Sequence, residues 1–298
     1  MRNELVVQSN KLIEAHYKQQ YTVQEQRMVL WVISEIHKED YFGKKYEHKT
    51  IAISAQKYAE LIGADIKDIY KRAQEIGDNL MQKVITIKTD AGWEMFHWVE
   101  SMKYHKNTAI IEVLIAPAII PYIVDLQEKF TEFRLENILY LRSSHAIKLY
   151  QLLAQYKYKT NGEREMTINE LKSILGINAE KGYVLFSNIK IKILEISKRE
   201  INAKTDLIIS YSTIKTGKKV TSIKFKITQK PTQELQAKKE FEEYILQLPS
   251  GNSIKTMFQN YGFDQASVKT EFQKFLVERI INYDPQSSKP LRVREIKN

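Results

Sequence analysis

The feature that most limits how this chain can fold is an internal repeat, offset by 113 residues, the distance from Gly63 to Gly176. Seven residues after each glycine stands a tyrosine, Tyr70 and Tyr183, and Ala73, Ile76 and Leu80 then fall on Phe186, Ile189 and Ile193. Those positions are spaced i, i+3 and i+7, one face of a helix. The order of elements around them also recurs.

In the first copy, an amphipathic stretch from Leu5 to Ala15 precedes the capping box Thr22-Val23-Gln24-Glu25, which feeds a helix through Ile36. After a polar loop at 38–49 come a short strand at 50–53, a helix at 55–62 begun by Ser54 and ended by Gly63, and a longer helix at 67–82. Strands are expected at 84–89, 93–104 and 109–115, the first two joined by Asp90-Ala91-Gly92. In the second copy, Ser143 or Ser144 opens a helix through Tyr156. A strand at 164–167 leads into a second capping box, Thr167 with Glu170. The helix that follows stops at Gly176; a long helix at 183–201 and strands at 207–213 and 220–228 complete the unit. Two helices joined by a tight turn and followed by a β-hairpin compose a winged helix-turn-helix, whose second helix enters the DNA major groove. The expected fold is therefore α+β. It has tandem winged-helix domains over 1–133 and 134–229, then a helical extension with a loose tail over 230–298. Helices in that extension are expected at 233–248 and 265–282.

The formal net charge is +10, and its distribution is uneven. Residues 1–133 hold 17 basic and 19 acidic side chains, residues 134–229 hold 18 and 8, and residues 230–298 hold 11 and 9. The second repeat thus carries an excess as large as that of the whole chain, which points to a polyanionic partner. Because this basic region mixes helices and strands rather than forming one amphipathic helix, nucleic acid is expected over a membrane surface. On a wheel of the 183–201 helix, Phe186, Ile189, Ile193 and Ile196 share the packed side. The opposite arc holds Ser187, Asn188, Ile191, Lys192, Glu195, Lys198, Arg199 and Asn202, and Lys190 joins the expected DNA-binding set. Arg can bond two acceptors on guanine, Asn suits adenine, Lys meets phosphate or guanine, Glu accepts from cytosine, and Ile191 could meet a thymine methyl. The hairpin turn carries Lys215, Lys218 and Lys219, with Lys224 and Lys226 on its second strand, as a wing gripping flanking phosphates would. In the first copy the matching arc holds Gln74, Glu75, Asp78, Asn79 and Gln82, and only Lys67, Lys71 and Arg72 near the helix start are basic. Weaker, backbone-only DNA contact, or a protein–protein role, is expected there.

Several phrases of the chain carry a family resemblance. They are Asn3 to Ala15, Thr22 to Ile36 with its Glu25-Gln26-Arg27 entry, and the second long helix with Tyr183, Phe186, Ile189-Lys190 and Lys192-Ile193-Leu194. That helix runs on through Lys198, Glu200-Ile201-Asn202 and Lys204-Thr205-Asp206-Leu207. Over roughly residues 3–229 the sequence resembles the iteron-binding replication initiators of theta-replicating bacterial plasmids, a family of two winged-helix domains. The family usually has a basic residue where this chain has Ile191. The resemblance implies monomers that bind direct repeats of double-stranded DNA at the plasmid origin, with most base-specific contacts made by the second domain. It further implies opening of an adjacent AT-rich segment and recruitment of host replication proteins, the initiator and the helicase among them. It also implies homodimers, in equilibrium with monomers and joined through the first domain, that bind an operator and repress their own gene.

Other chemistry is missing. Zero cysteines exclude disulfides, thiolate metal sites and a cysteine nucleophile, and fit a reducing compartment. There is no phosphate-binding Gly-x-x-x-x-Gly-Lys-Ser/Thr loop, and the histidines at 16, 37, 48, 97, 105 and 145 show no metal-ligand spacing. His145 reads as a helix-start residue. No catalytic residue, metal or cofactor is expected, nor any membrane span or signal peptide, and a cytoplasmic location follows. The residues alone leave a winged-helix transcriptional repressor without a replication role level with an initiator. A metal-dependent nicking enzyme stands behind both, since its tyrosine would need a positioned base or metal.

Overall fold

The computed structural model of the protein describes residues 5–36, 50–124, 129–158 and 162–231. The polar loop at 38–49, the two helices expected after residue 232 and the tail lie outside them.

The amphipathic stretch from Leu5 begins as strand β1 (Leu5–Ser9), followed by the single turn α1 (Asn10–Ile13) and the short β2 (His16–Tyr17). Helix α2 (Val23–Ser34) begins at the expected capping box. Thr22 Oγ1 accepts from the Glu25 amide at 3.2 Å, and the Glu25 carboxylate accepts from the Thr22 amide at 2.9 Å. Every residue of α2 from Glu25 to Ser34 is buried, the pattern of a helix enclosed on all sides. Strand β3 (Thr50–Ser54), helix α3 (Ala55–Ile62) and, after a 3₁₀ turn at Ile66–Asp68, helix α4 (Ile69–Gln82) follow as expected.

The strand expected at 93–104 is broken. Strands β4 (Val84–Thr89) and β5 (Gly92–His97) pair with β2 in the order β2-β4-β5, whereas β6 (Val99–His105) and β7 (Ile110–Ile115) pair with β3 in the order β3-β7-β6. Trp98, 3% exposed, is buried at the break and sends the chain from one sheet to the other. The wing of the first repeat is therefore β6–β7, and β4–β5 is an inserted hairpin without a counterpart in the second repeat. A 3₁₀ turn (Pro117–Ile119), α5 (Pro121–Val124) and β8 (Phe130–Arg134) complete this half. Strand β8 pairs antiparallel with β1, Leu5 opposite Arg134, which is why the first residues are extended despite their amphipathic pattern.

After α6 (Glu136–Leu139), α7 (Ser144–Ala154) starts at Ser143, whose hydroxyl accepts from the Ala146 amide. Strand β9 (Glu163–Thr167) and helix α8 (Ile168–Leu175) stand 113 residues beyond β3 and α3, and Gly63 and Gly176 both end their helices in the left-handed region, at φ 66° and 70°. Only half of the second capping box forms. Thr167 accepts from the Glu170 amide, while the Glu170 carboxylate lies 3.6 Å from Arg164. A 3₁₀ turn (Lys181–Tyr183) leads into α9 (Phe186–Ile189), a π-helical segment (Lys190–Glu195) and α10 (Ile196–Lys204). Strands β10 (Leu207–Thr216) and β11 (Lys219–Gln229) then form the sheet β10-β11-β9. One continuous buried core runs from Val6 to Ile227 through both halves, with α7 sunk in it from Ala146 to Ala154.

The two equivalent glycines differ in what surrounds them. A Cβ at Gly63 would meet nothing within 4 Å, whereas one at Gly176 would come within 2.6 Å of the Gln19 carbonyl oxygen. In urea unfolding, Gly63→Ala should cost about 1 kcal/mol, the left-handed penalty alone, and Gly176→Ala about 3 kcal/mol, because main chain must also retreat. A second expectation concerns Lys148, buried on α7, whose pKa burial pulls down to about 7. Between that value and the ordinary lysine pKa of about 10.4 the unfolded chain binds more protons, so stability should rise as pH climbs from about 7 to 9.5. Lys148→Met should flatten that rise in melting scans.

Candidate nucleic-acid interface

The second repeat presents its long helix on a narrow base. Tyr183 is half-buried, its ring edge-on to that of His145, 5.9 Å away. Burial lowers the His145 pKa to about 4, so this imidazole is a neutral packing group at the start of α7. Beyond Tyr183 the chain enters the helical stretch with two apolar side chains in solvent, Val184 at 70% and Leu185 at 64% exposed. The packed stripe is then Ile189, Ile193 with Leu194, Ser197 and Ile201. A repeat of four residues drifts by ~40° per step around an α-helix at 100° per residue. The wider turn at Lys190–Glu195 takes up part of that drift, so the stripe stays on the core. It also explains why Ile196, placed on the packed side by the straight-helix wheel, is only half-buried while Ser197 is buried.

On the outer side, Ser187, Lys190, Ile191, Lys192, Glu195 and Arg199 are exposed and Asn188 and Lys198 partly so. Among the described residues, Lys190, Lys192, Lys198 and Arg199 have no ion pair, leaving four cations along the helical stretch. Three of the expected residues are engaged within the domain. Asn188 donates to the Gly182 carbonyl at 2.9 Å, and Glu195 accepts from the Tyr211 hydroxyl of β10 at 2.6 Å. Asn202 departs from the expectation most. Its side-chain amide donates to the Ile209 carbonyl at 3.0 Å, and its oxygen accepts from the Ile209 amide at 2.6 Å, so it clasps β10 instead of facing outward. In the wing, Lys215, Lys218 and Lys219 are exposed around the turn at Gly217, φ 63°, and Lys226 is exposed further along β11, opposite Ser210. Lys224 lies 2.8 Å from Glu163, and that bond raises its pKa. Part of its charge is answered within the protein.

The first repeat looks different. Lys67 and Lys71 are exposed and Arg72 half-buried, but Lys71 stands 3.9 Å from Glu75 and Arg72 4.0 Å from Asp68 on the same helical face. The wheel of 183–201 gave Val184 and Leu185 no role, and the structure places them before the first helical residue, Phe186. Their signal was two apolar residues between Gly182 and Phe186, off the buried stripe. Among the described residues no three metal-ligating side chains gather, and no helix is long and apolar enough to cross a membrane.

The family model described as Initiator Replication protein, WH1 matches residues 5–154, and the one described as Initiator Rep protein, WH2 matches residues 167–227. The chain belongs to the initiator replication protein family. The first match runs past residue 133 through α7, and the second begins at Thr167, the last residue of β9. The fold of the initiator is also that of a solved relative, the Pi initiator protein in complex with iteron DNA. The two share 20% identity and a TM-score of 0.61 over 78% of this chain and 100% of that one. Looser matches are the domain 2 and domain 3 structure of RctB, at 12% identity and TM-score 0.39 over 70% of this chain and 82% of that one, and a WH1 domain of a replication protein isolated from a multiple sclerosis patient. The latter shows 21% identity and a TM-score of 0.26 over 35% of this chain and 81% of that one.

Two neighbouring substitutions on α10 should separate. Arg199→Ala should leave the melting temperature within error and weaken binding to the cognate duplex by about 1–3 kcal/mol if the residue reads a base. Asn202→Ala, which unpairs both backbone groups of Ile209, should instead lower stability by about 1–3 kcal/mol. Parallel melts and titrations of the two variants check this.

Proposed function

We propose that this initiator binds direct repeats, iterons, in double-stranded DNA at a plasmid origin, reading sequence with Ser187, Asn188, Lys190, Lys192, Lys198 and Arg199. Val184, Leu185 and Ile191 supply apolar contact to the same groove, and the wing cations Lys215, Lys218 and Lys219 hold flanking phosphates. The carrying observation is the set of four cations, without an ion pair among the described residues, along the helical stretch of a winged helix that is followed by a lysine-tipped hairpin. In this reading residues 134–229 are the main reader. Residues 1–133 add backbone contact through Lys67, Lys71 and Arg72 and supply a dimer interface. The protein acts without catalysis, metal or cofactor: binding strains an adjacent AT-rich segment toward opening, and host initiator and helicase proteins join it there, in the cytoplasm. As a dimer it binds an operator and represses its own gene.

A surface suited to that dimer is the inserted hairpin. Strand β5 is the outer strand of its sheet, with Trp93 67% and Met95 53% exposed on one face and Glu94 and Phe96 turned toward Tyr122 on the other. An unpaired edge flanked by exposed apolar side chains is a template for a second chain.

The test is titration of the full chain onto its origin repeat and onto scrambled duplex over a salt series. A specificity gap of roughly 10³-fold or more that persists as salt rises is expected, and a steep salt slope without a gap overturns the reading. Loss of replication of a plasmid carrying the origin in an Arg199→Ala strain separates an initiator from a repressor. Trp93→Arg should shift the protein toward monomer in sedimentation runs while affinity for a single repeat holds.

A further inference from the structure

The five residues from Leu139 to Ser143, which connect α6 to α7, are held from both sides. From the first half, Arg27 on α2 reaches across with its guanidinium, donating to the carbonyls of Leu139, at 2.5 Å, and Leu141, at 3.0 Å. From the second half, Lys204 on α10 donates to the carbonyl of Tyr140 at 2.9 Å, and Glu200 accepts from the amides of Arg142 at 2.8 Å and Ser143 at 3.1 Å. Each residue of the segment thus has a backbone group bonded to a side chain of one half or the other. Arg27 is 8% exposed, so its bonds form where an unpaired polar group is costly. Within the second half, beside this segment, Asp206 accepts from the Tyr150 hydroxyl at 2.7 Å and from the Asn137 amide at 3.1 Å.

We propose that residues 139–143 are a strap through which Arg27 and Glu200 fix the placement of the second repeat's DNA-reading helix relative to the first repeat, making both positioning residues for DNA recognition. The geometry is direct. Glu200 follows Arg199 on α10, so one helix carries a cation in solvent and, one residue on, the group that grips the strap. Through Leu139 and Leu141 the strap ends on α2, the fully buried helix of the first half. A pair of DNA-contacting units held rigidly engages a duplex as one body, with the second contact made at high effective concentration. A loosened pair loses that advantage but gains tolerance to altered spacing. The inference rests on the proposed reading that both halves touch one duplex.

The experiment uses the full chain and three duplexes at a temperature well below every variant's melting point. One is the complete repeat, one is shortened on the side of the first half, and one carries a single inserted base pair between the two contacts. That insertion rotates one contact by ~35° and moves it by ~3.4 Å relative to the other. Wild type should bind the complete repeat about tenfold or more tighter than either other duplex. Glu200→Ala should bind the shortened duplex as wild type does, while its penalty for the insertion falls below about threefold. Arg27→Met, which removes the nitrogen that donates to both carbonyls, should behave likewise. Glu200→Gln keeps an oxygen able to accept both amides and should restore the wild-type penalty. The proposal is overturned if Glu200→Ala and Arg27→Met keep the full insertion penalty, or lose affinity equally for all three duplexes. Equal binding of complete and shortened duplex by wild type would show instead that the first half makes no contact. Then the two-contact reading falls, and the strap has nothing to position.

Discussion

Everything in this molecule depends on polar groups that are buried where the two repeats meet and must find partners there. Arg164 on β9 is 5% exposed, yet its guanidinium lies 3.2 Å from Glu14 of the first half, 3.6 Å from Glu170, and donates to the Leu152 carbonyl at 3.2 Å. Lys148 on α7 donates to the Tyr17 hydroxyl at 3.0 Å and sits 4.1 Å from the centre of that ring. Gln8 on β1 donates to Gln151 on α7 at 3.1 Å. A buried cation or amide left unpaired costs far more than a paired one returns, so such contacts specify one arrangement of the halves rather than adding much stability. An apolar seam alone would permit many arrangements.

In the proposed reading the outer helix must hold its side chains in place before DNA arrives, and it is held along its length. Tyr211 bonds Glu195, Asn202 clasps Ile209, and Glu200 and Lys204 grip the connector between α6 and α7. The phrase Glu200 to Leu207, which carries much of the family resemblance, is thus a run of anchors. The cations that face solvent stand just before it.

The contrast between the repeats has an electrostatic basis. Among the described residues the second half leaves Lys190, Lys192, Lys198 and Arg199 without an ion pair, while the first half answers Lys71 and Arg72 with acids one turn away. Exposed i,i+4 pairs are worth only a few tenths of a kcal/mol, so they serve stability little. What they do is remove net charge from the surface that would otherwise meet phosphate.

Local signals fared best. The capping box at Thr22, the glycine stops at 63 and 176, and the strand–helix phase shared at offset 113 depend on a few neighbouring residues, and all appear in the structure. The uneven charge and the cations of the long helix were equally legible, because composition and helical period are sequence properties. The amphipathic opening could not be read as a strand, since β1 takes its hydrogen bonds from β8, more than a hundred residues away. The break at Trp98, the wide turn at 190–195 and the inward turn of Asn202 were hidden for a related reason. Each is decided by the space left by residues distant in the chain, which no local pattern records. Sequence alone determined the repeated strand–helix elements and the positive charge of the second long helix; tertiary packing decided which of its side chains stay in solvent and which hold the structure together, because those choices depend on residues distant in the chain.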